Sequence, residues 1–220
     1  MSPWDGIMST QKIAGRVIVS YILKIVMIIL FILALLKGEL AWTVGAAIAL
    51  FLTFVPTILE RNFHITLPFI LEFLIVLALF LHIGGNVFNF YYVIPRYDDI
   101  AHFVSSSLVA FIAFTIVYIL DKYWEGLHMD MYAMAYLVIV TTMAFGVVWE
   151  VFEWTADLIT GGHEQWSLND TMSDLVIDSI GGIVMAFIGI ILIKTGRWDR
   201  MTEDMGKGID SVIIHRKKEL

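Results

Sequence analysis

Residues 175–193 read LVIDSIGGIVMAFIGIILI and are followed by Lys194. A run of this length and apolarity is a helix that crosses a bilayer. The hydrocarbon core takes roughly 20 apolar residues, and only a helix or a closed barrel satisfies every backbone polar group there. One residue breaks the pattern. Asp178 lies inside the run, and Asp174 and Asp170 precede it at steps of four, which puts all three on one helical face. Capping accounts for an acid in the first turn, such as Asp170, but not for Asp178 two turns further in. An ionisable group at membrane depth is costly and marks a site or an ion path.

Five further segments, at about 13–36, 40–59, 67–90, 100–120 and 131–154, are long and apolar enough to span. The expected architecture is therefore all-α, a polytopic bundle of six transmembrane helices over residues 1–196. A cytoplasmic tail, 197–220, follows, in which Trp198, Met201, Met205, Ile209, Val212 and Ile213 are mixed with charges; it reads either as a short amphipathic helix on the inner membrane surface or as a solvated tail. The first segment is longer than the apolar stretch of a signal peptide and no small-x-small cleavage site follows it, so it reads as a span. Composition agrees: 59% of the 220 residues are hydrophobic and 16% charged, with a mean hydropathy of +0.83, where a soluble domain carries about a quarter charged residues. The net charge of -7 argues against nucleic acid as a partner, and the absence of cysteine excludes disulfides, thiolate ligands and a cysteine nucleophile.

Basic residues set the expected orientation. With six spans, one side holds Lys12, Arg16, Arg61, Lys122, Lys194, Arg197, Arg200, Lys207, Arg216, Lys217 and Lys218, and the other only Lys37 and Arg96. Both termini are then cytoplasmic in a cell membrane. The acids described next fall on the extracytoplasmic side.

Eight carboxylates and one histidine gather at or near the ends of the last three apolar helices. Asp98, Asp99 and His102 open the fourth span, where either Asp can share a face with the imidazole. Glu150, Glu153 and Asp157 form a stripe closing the fifth, where acids oppose the helix dipole and need compensation. Asp170, Asp174 and Asp178 open the sixth, with Gly181 and Gly182 beyond them to admit a neighbouring helix. So many like charges, with Arg96 the one basic residue close by in sequence, call for a cation or bound protons. Asp98, His102, Glu150, Glu153, Asp170, Asp174 and Asp178 are the candidate metal ligands, and His102 and Glu153 the candidate proton carriers. Oxygen-rich ligands with one histidine suit magnesium, manganese, calcium or zinc. Asp99 and Asp157 read as structural acids, and Ser105 and Ser106 as helix-packing residues. Glu72, with Lys24 as a possible partner, and His82, Asn86, Asn89, His163 and Glu164 are weaker candidates.

These motifs resemble the YjdF-type inner-membrane proteins, in which a Tyr-Asp-x-x-x-His-Phe, a Glu-x-x-Glu-Trp and an Asp-Thr-x-x-Asp follow in order before a glycine-bearing last helix. Here they stand as Tyr97, Asp98, His102 and Phe103; Glu150, Glu153 and Trp154; and Asp170, Thr171 and Asp174, ahead of Gly181 and Gly182. The first and last motifs are also loosely similar to those of VanZ-like proteins, which implies action at the outer face. The loop 161–169 lacks the glycine- and tryptophan-rich stretch of the closer family. The resemblance supports the site and leaves the activity open.

Two functions follow as expectations. One is a metal-dependent enzyme of the membrane acting on a lipid or lipid-linked substrate. The other is a proton- or cation-coupled transporter, against which stand the lack of inverted repeats and the confinement of the acids to one side. A non-catalytic scaffold with a structural cation is the third.

Overall fold

The apolar runs fold as helices, and no strand occurs among the described residues of the computed structural model, which are 21–203 and Met205 apart from Glu39, His64, Thr66, Glu125 and His163. The helices are α1 (21–37), α2 (Leu40–Leu52), α3 (Val55–Phe63), α4 (Phe69–Val87), α5 (Phe90–Val93), α6 (Tyr97–Tyr123), α7 (Met131–Thr160), α8 (Leu168–Lys194) and α9 (197–203). Among the described residues five helices are long and apolar enough to cross a membrane: Trp42–Phe63, Phe69–Val87, Tyr97–Lys122, Met131–Thr160 and Leu168–Lys194. The expected first span is described only as α1, and its earlier part lies outside the described residues.

Several boundaries differ from the sequence reading for local reasons. The second span breaks at Thr53-Phe54, because Pro56 has no N–H to give the Leu52 carbonyl, and Thr53 Oγ1 donates instead to the Leu50 carbonyl at 2.6 Å. The third span starts after Pro68 and stops at Val87, where Asn89 turns left-handed at φ 59°. A second left-handed residue, Arg96 at φ 60°, starts α6. These two turns fold the single turn of α5 back toward the bundle. Helix α7 runs to Thr160 and closes on left-handed Gly161, and α8 begins at Leu168 under a Ser167 cap whose Oγ accepts the Asp170 N–H at 3.2 Å. Glu150, Glu153, Asp174 and Asp178 therefore sit inside long helices and not at their ends.

Helices α6, α7 and α8 pack on one another, and α4 packs on α6. Large apolar side chains face outward, including Ile116 on α6, Phe145, Val148 and Phe152 on α7, and Phe187 on α8, as lipid contact requires and water does not. One apolar cluster fills the half of the bundle remote from the acids. It joins Phe111 and Phe114 of α6, Val138 of α7 and Ala186 of α8 to Trp198 of α9, whose ring lies 4.9 Å from that of Phe114, tilted by 47°. The described start of the tail thus docks into the bundle; an amphipathic stretch beyond Met205 lies outside the described residues. A second cluster links α1, α2 and α4 through Met27, Leu30, Ala34, Ala46, Ala49, Val76 and Ile83.

Candidate functional site

Glycine sets how closely the three acid-bearing helices approach. A Cβ at Gly182 would lie 3.0 Å from Thr142 Cβ, and one at Gly146 would lie 2.5 Å from Asp178 Oδ2. A Cβ at Gly181 would run into the Ser106 hydroxyl and come within 3.3 Å of the Phe103 carbonyl. These pairs define a register. Helices α7 and α8 run antiparallel, with Thr142 opposite Gly182 and Gly146 opposite Asp178, so one turn further on Glu150 stands opposite Asp174. Helices α6 and α8 run parallel, with Ser106 beside Gly181 and His102 beside Asp178. Asp98 then falls on the level of Asp174 and Glu150.

On that level, single ligand atoms of Asp98, His102 and Asp174 lie within 4.8 Å of one another. His102 Nδ1 is 3.3 Å from Asp178 Oδ1, and its Nε2 is 3.7 Å from Asp98 Oδ1. His102, Asp174, Asp178 and Glu150 are buried, between 2% and 7% exposed, and Asp98 is partly open. The Glu150 carboxylate is within hydrogen-bonding reach of Thr171 and Gln165 and within electrostatic reach of His102 and Asp178, while its buried Oε1 has no hydrogen-bond partner. A buried, unsatisfied carboxylate oxygen is expensive.

The remaining candidates separate by their contacts. Glu153 Oε1 accepts the Trp149 indole N–H at 2.8 Å. Asp170 lies in the first turn of α8, half-buried, within electrostatic reach of Asp98 and Asp174. Asp99 is paired with Arg96 at 2.6 Å. Asp157 braces the following loop, accepting the N–H groups of Glu164 and Gln165 at 2.8 and 2.9 Å; burial first, and then the Asp157 carboxylate, raise the pKa of Glu164. His163 lies outside the described residues. Lys24 donates to Thr57 Oγ1 at 2.8 Å, and it lines with Glu72 a small pocket away from the acids.

A cavity of about 260 Å³ opens beside the cluster, lined by Asp98, His102, Glu153 and Asp178 and also by His82 and Tyr91. Asn86 and Asn89 do not line it. His82 Nδ1 is 3.2 Å from the Tyr91 hydroxyl, and the His82 ring meets Trp149 edge-on at 5.1 Å. Burial first, and then the charges of Asp98 and its neighbours, raise the Tyr91 pKa, so the side chain stays a neutral phenol. Sequence periodicity gives no signal for Tyr91, because it depends on the two left-handed turns around α5. Asn89, a residue tolerant of that conformation, is the one local hint.

This geometry can be set beside other proteins. The model of a family described as "Predicted membrane protein (DUF2238)" matches residues 18–195. The chain belongs to this family. The match bears out the YjdF-type resemblance, since YjdF is a member of the same family; the looser VanZ-like resemblance is not shown. An "Uncharacterized protein" of Thermotoga maritima is 30% identical over 169 residues, covering 76% of this chain and 85% of the relative. No solved structure matches the chain.

Proposed function

We propose that this integral membrane protein holds a divalent cation between Asp98, His102 and Asp174, with Glu150 completing the ligand set, and acts on a lipid or lipid-linked substrate at one face of the membrane. The observation that carries the reading is the unpartnered Glu150 Oε1, buried on the same level as those three ligands. A divalent cation satisfies that oxygen and offsets the mutual repulsion of Asp98, Glu150 and Asp174.

The hydrogen-bonding of His102 gives it a definite role. Its Nδ1 faces Asp178 and its Nε2 faces Asp98, an arrangement in which a carboxylate orients a ligating imidazole through the far nitrogen. Asp178, expected from sequence as a ligand, serves better as that orienting group. The cation would supply charge stabilisation to a phosphoryl or ester oxygen, or an activated water. Glu153, held by Trp149 at the cavity wall, is the candidate to carry the proton. The basic residues of the opposite end, Lys122, Lys194, Arg197 and Arg200, favour an extracytoplasmic site with cytoplasmic termini.

A coupled carrier is the less favoured reading, because the half of the bundle beyond the acids is closed by Phe111, Phe114, Val138 and Ala186, which offer no polar relay.

Elemental analysis of detergent-purified protein beside Asp174→Ala and Glu150→Ala tests the assignment. The expected result is one divalent ion per chain, lost in both variants. A folded wild type that neither retains nor rebinds magnesium, manganese, calcium or zinc would overturn it.

A further inference from the structure

The cavity has a graded lining and an open flank, and together these identify what it receives. Its polar groups, Asp98, Glu153, Tyr91, His82, His102 and Asp178, lie at the acid end. Further along the helices the wall turns apolar, with Ala78 and Leu79 on α4, Leu108 and Val109 on α6, and Phe145 on α7. Ser105, Ser106 and Thr142 also line it, and two of these three hydroxyls are taken up by their own helices. Thr142 Oγ1 donates to the Val138 carbonyl at 2.8 Å and Ser106 Oγ to the Phe103 carbonyl at 3.1 Å, so neither needs a polar guest. From Asp98 to Val109 the cavity follows α6 for about 16 Å at 1.5 Å per residue. A volume of about 260 Å³ spread over that length is a narrow slot. Water gains little in an apolar slot of this kind, and a compact polar solute would leave its deep end unfilled.

The flank points to the membrane. Helix α4 packs on α6, and α7 packs on α6 and α8, which leaves a wedge between α4 and α7 filled by the cavity. His82 and Trp149 meet across that wedge. Phe145 and Trp149 line the cavity and are 56% and 37% exposed, so the slot is open on the flank between α4 and α7.

We infer that this slot takes the single hydrocarbon tail of an amphiphile that arrives sideways from the bilayer between α4 and α7, with a phosphate headgroup at Asp98 and His102, the two proposed cation ligands that line it. The tail assignment stands on the cavity alone. The phosphate rests on the proposed cation, because the bare acids would repel an anion.

Native mass spectrometry of the detergent-purified chain with manganese tests it, using dodecyl phosphate and dodecanol as probes. Wild type is expected to retain one dodecyl phosphate and to bind dodecanol more weakly. Ala78→Phe and Leu79→Trp, which fill the slot from α4, are expected to weaken dodecyl phosphate by about tenfold or more while keeping manganese. Asp174→Asn is expected to lose manganese and, with it, the preference for phosphate over alcohol. Dodecyl phosphate bound equally by wild type and by both filled variants would overturn the tail site and leave the cation reading standing. Tail binding lost in the filled variants, with no manganese bound to wild type, would sink the cation and phosphate assignments and keep the tail site. Equal binding of dodecanol and dodecyl phosphate by manganese-loaded wild type would overturn the phosphate headgroup.

Discussion

His102 Nδ1 on α6 lies 3.3 Å from Asp178 Oδ1 on α8, with both side chains more than nine-tenths buried. The two residues are 76 positions apart in sequence, and the helix carrying Asp178 can come this close to α6 because its Gly181 faces Ser106 and the Phe103 carbonyl there. The contact fixes which imidazole nitrogen is left to face Asp98.

Asp178→Asn separates an orienting role from a ligating one. The amide keeps the shape but cannot serve the imidazole N–H as a charged acceptor. Manganese affinity is expected to fall about 10–100-fold, as for outer partners of metal-bound histidines, whereas Asp174→Asn abolishes binding. Titration of manganese followed by electron paramagnetic resonance distinguishes the two. Complete loss in Asp178→Asn would make Asp178 a ligand in its own right.

The effect of Glu150→Gln on stability should change sign when manganese is added. Without a cation, wild type carries a buried oxygen with no partner, and the neutral amide relieves part of that cost, raising Tm in chelator. With manganese at about 100 times its Kd, wild type gains about 2.7 kcal/mol, and the variant gains much less. Thermal unfolding in detergent, with and without manganese, reads both terms. Equal stabilisation of the two proteins by manganese would remove Glu150 from the ligand set.

Gly146→Ala and Gly181→Ala test the register. The added methyl meets Asp178 in the first case and Ser106 together with the Phe103 backbone in the second. Overpacking of this kind costs about 1–3 kcal/mol. The Gly181 change is expected to be the larger, since a backbone carbonyl yields less than a carboxylate does. Gly126→Ala is the control, because its Cβ would meet nothing closer than the Trp124 indole at 3.4 Å.

At the other end of the bundle, Asp199 Oδ1 accepts both Lys122 Nζ and the Tyr118 hydroxyl at 2.6 Å. The Lys122 hydrogen bond first, and then that of Tyr118, hold its pKa below the ordinary carboxylate value. A carboxylate lowered on folding stabilises the fold above its unfolded pKa, and that contribution disappears as pH falls through the folded one. The pair is exposed, so the gain is under about 1 kcal/mol. Asp199→Asn should therefore lower Tm slightly at neutral pH and converge with wild type under acid conditions, as followed by thermal scans across pH. A difference that persisted or grew in acid would refute the assignment.

The amino-acid sequence by itself determined that this chain lies in a membrane and which helix faces carry acids. The runs are too long and too apolar for any other fate, and a four-residue spacing such as Asp170, Asp174 and Asp178 survives any change in where the helix begins. It read the helix ends less well. Proline at 56 and left-handed turns at Asn89 and Arg96 redirect the chain, and Arg96 has no local preference for that conformation. Only tertiary structure decided which acids meet. Asp99 turns to Arg96 and Asp157 to its own loop, while Asp98, His102 and Asp174 converge, because the close passage of Gly146, Gly181 and Gly182 sets the stagger of three helices. The same packing brought His82 and Tyr91 to the cavity wall. Periodicity describes one helix at a time, and the stagger between helices comes from the shapes of the side chains that separate them.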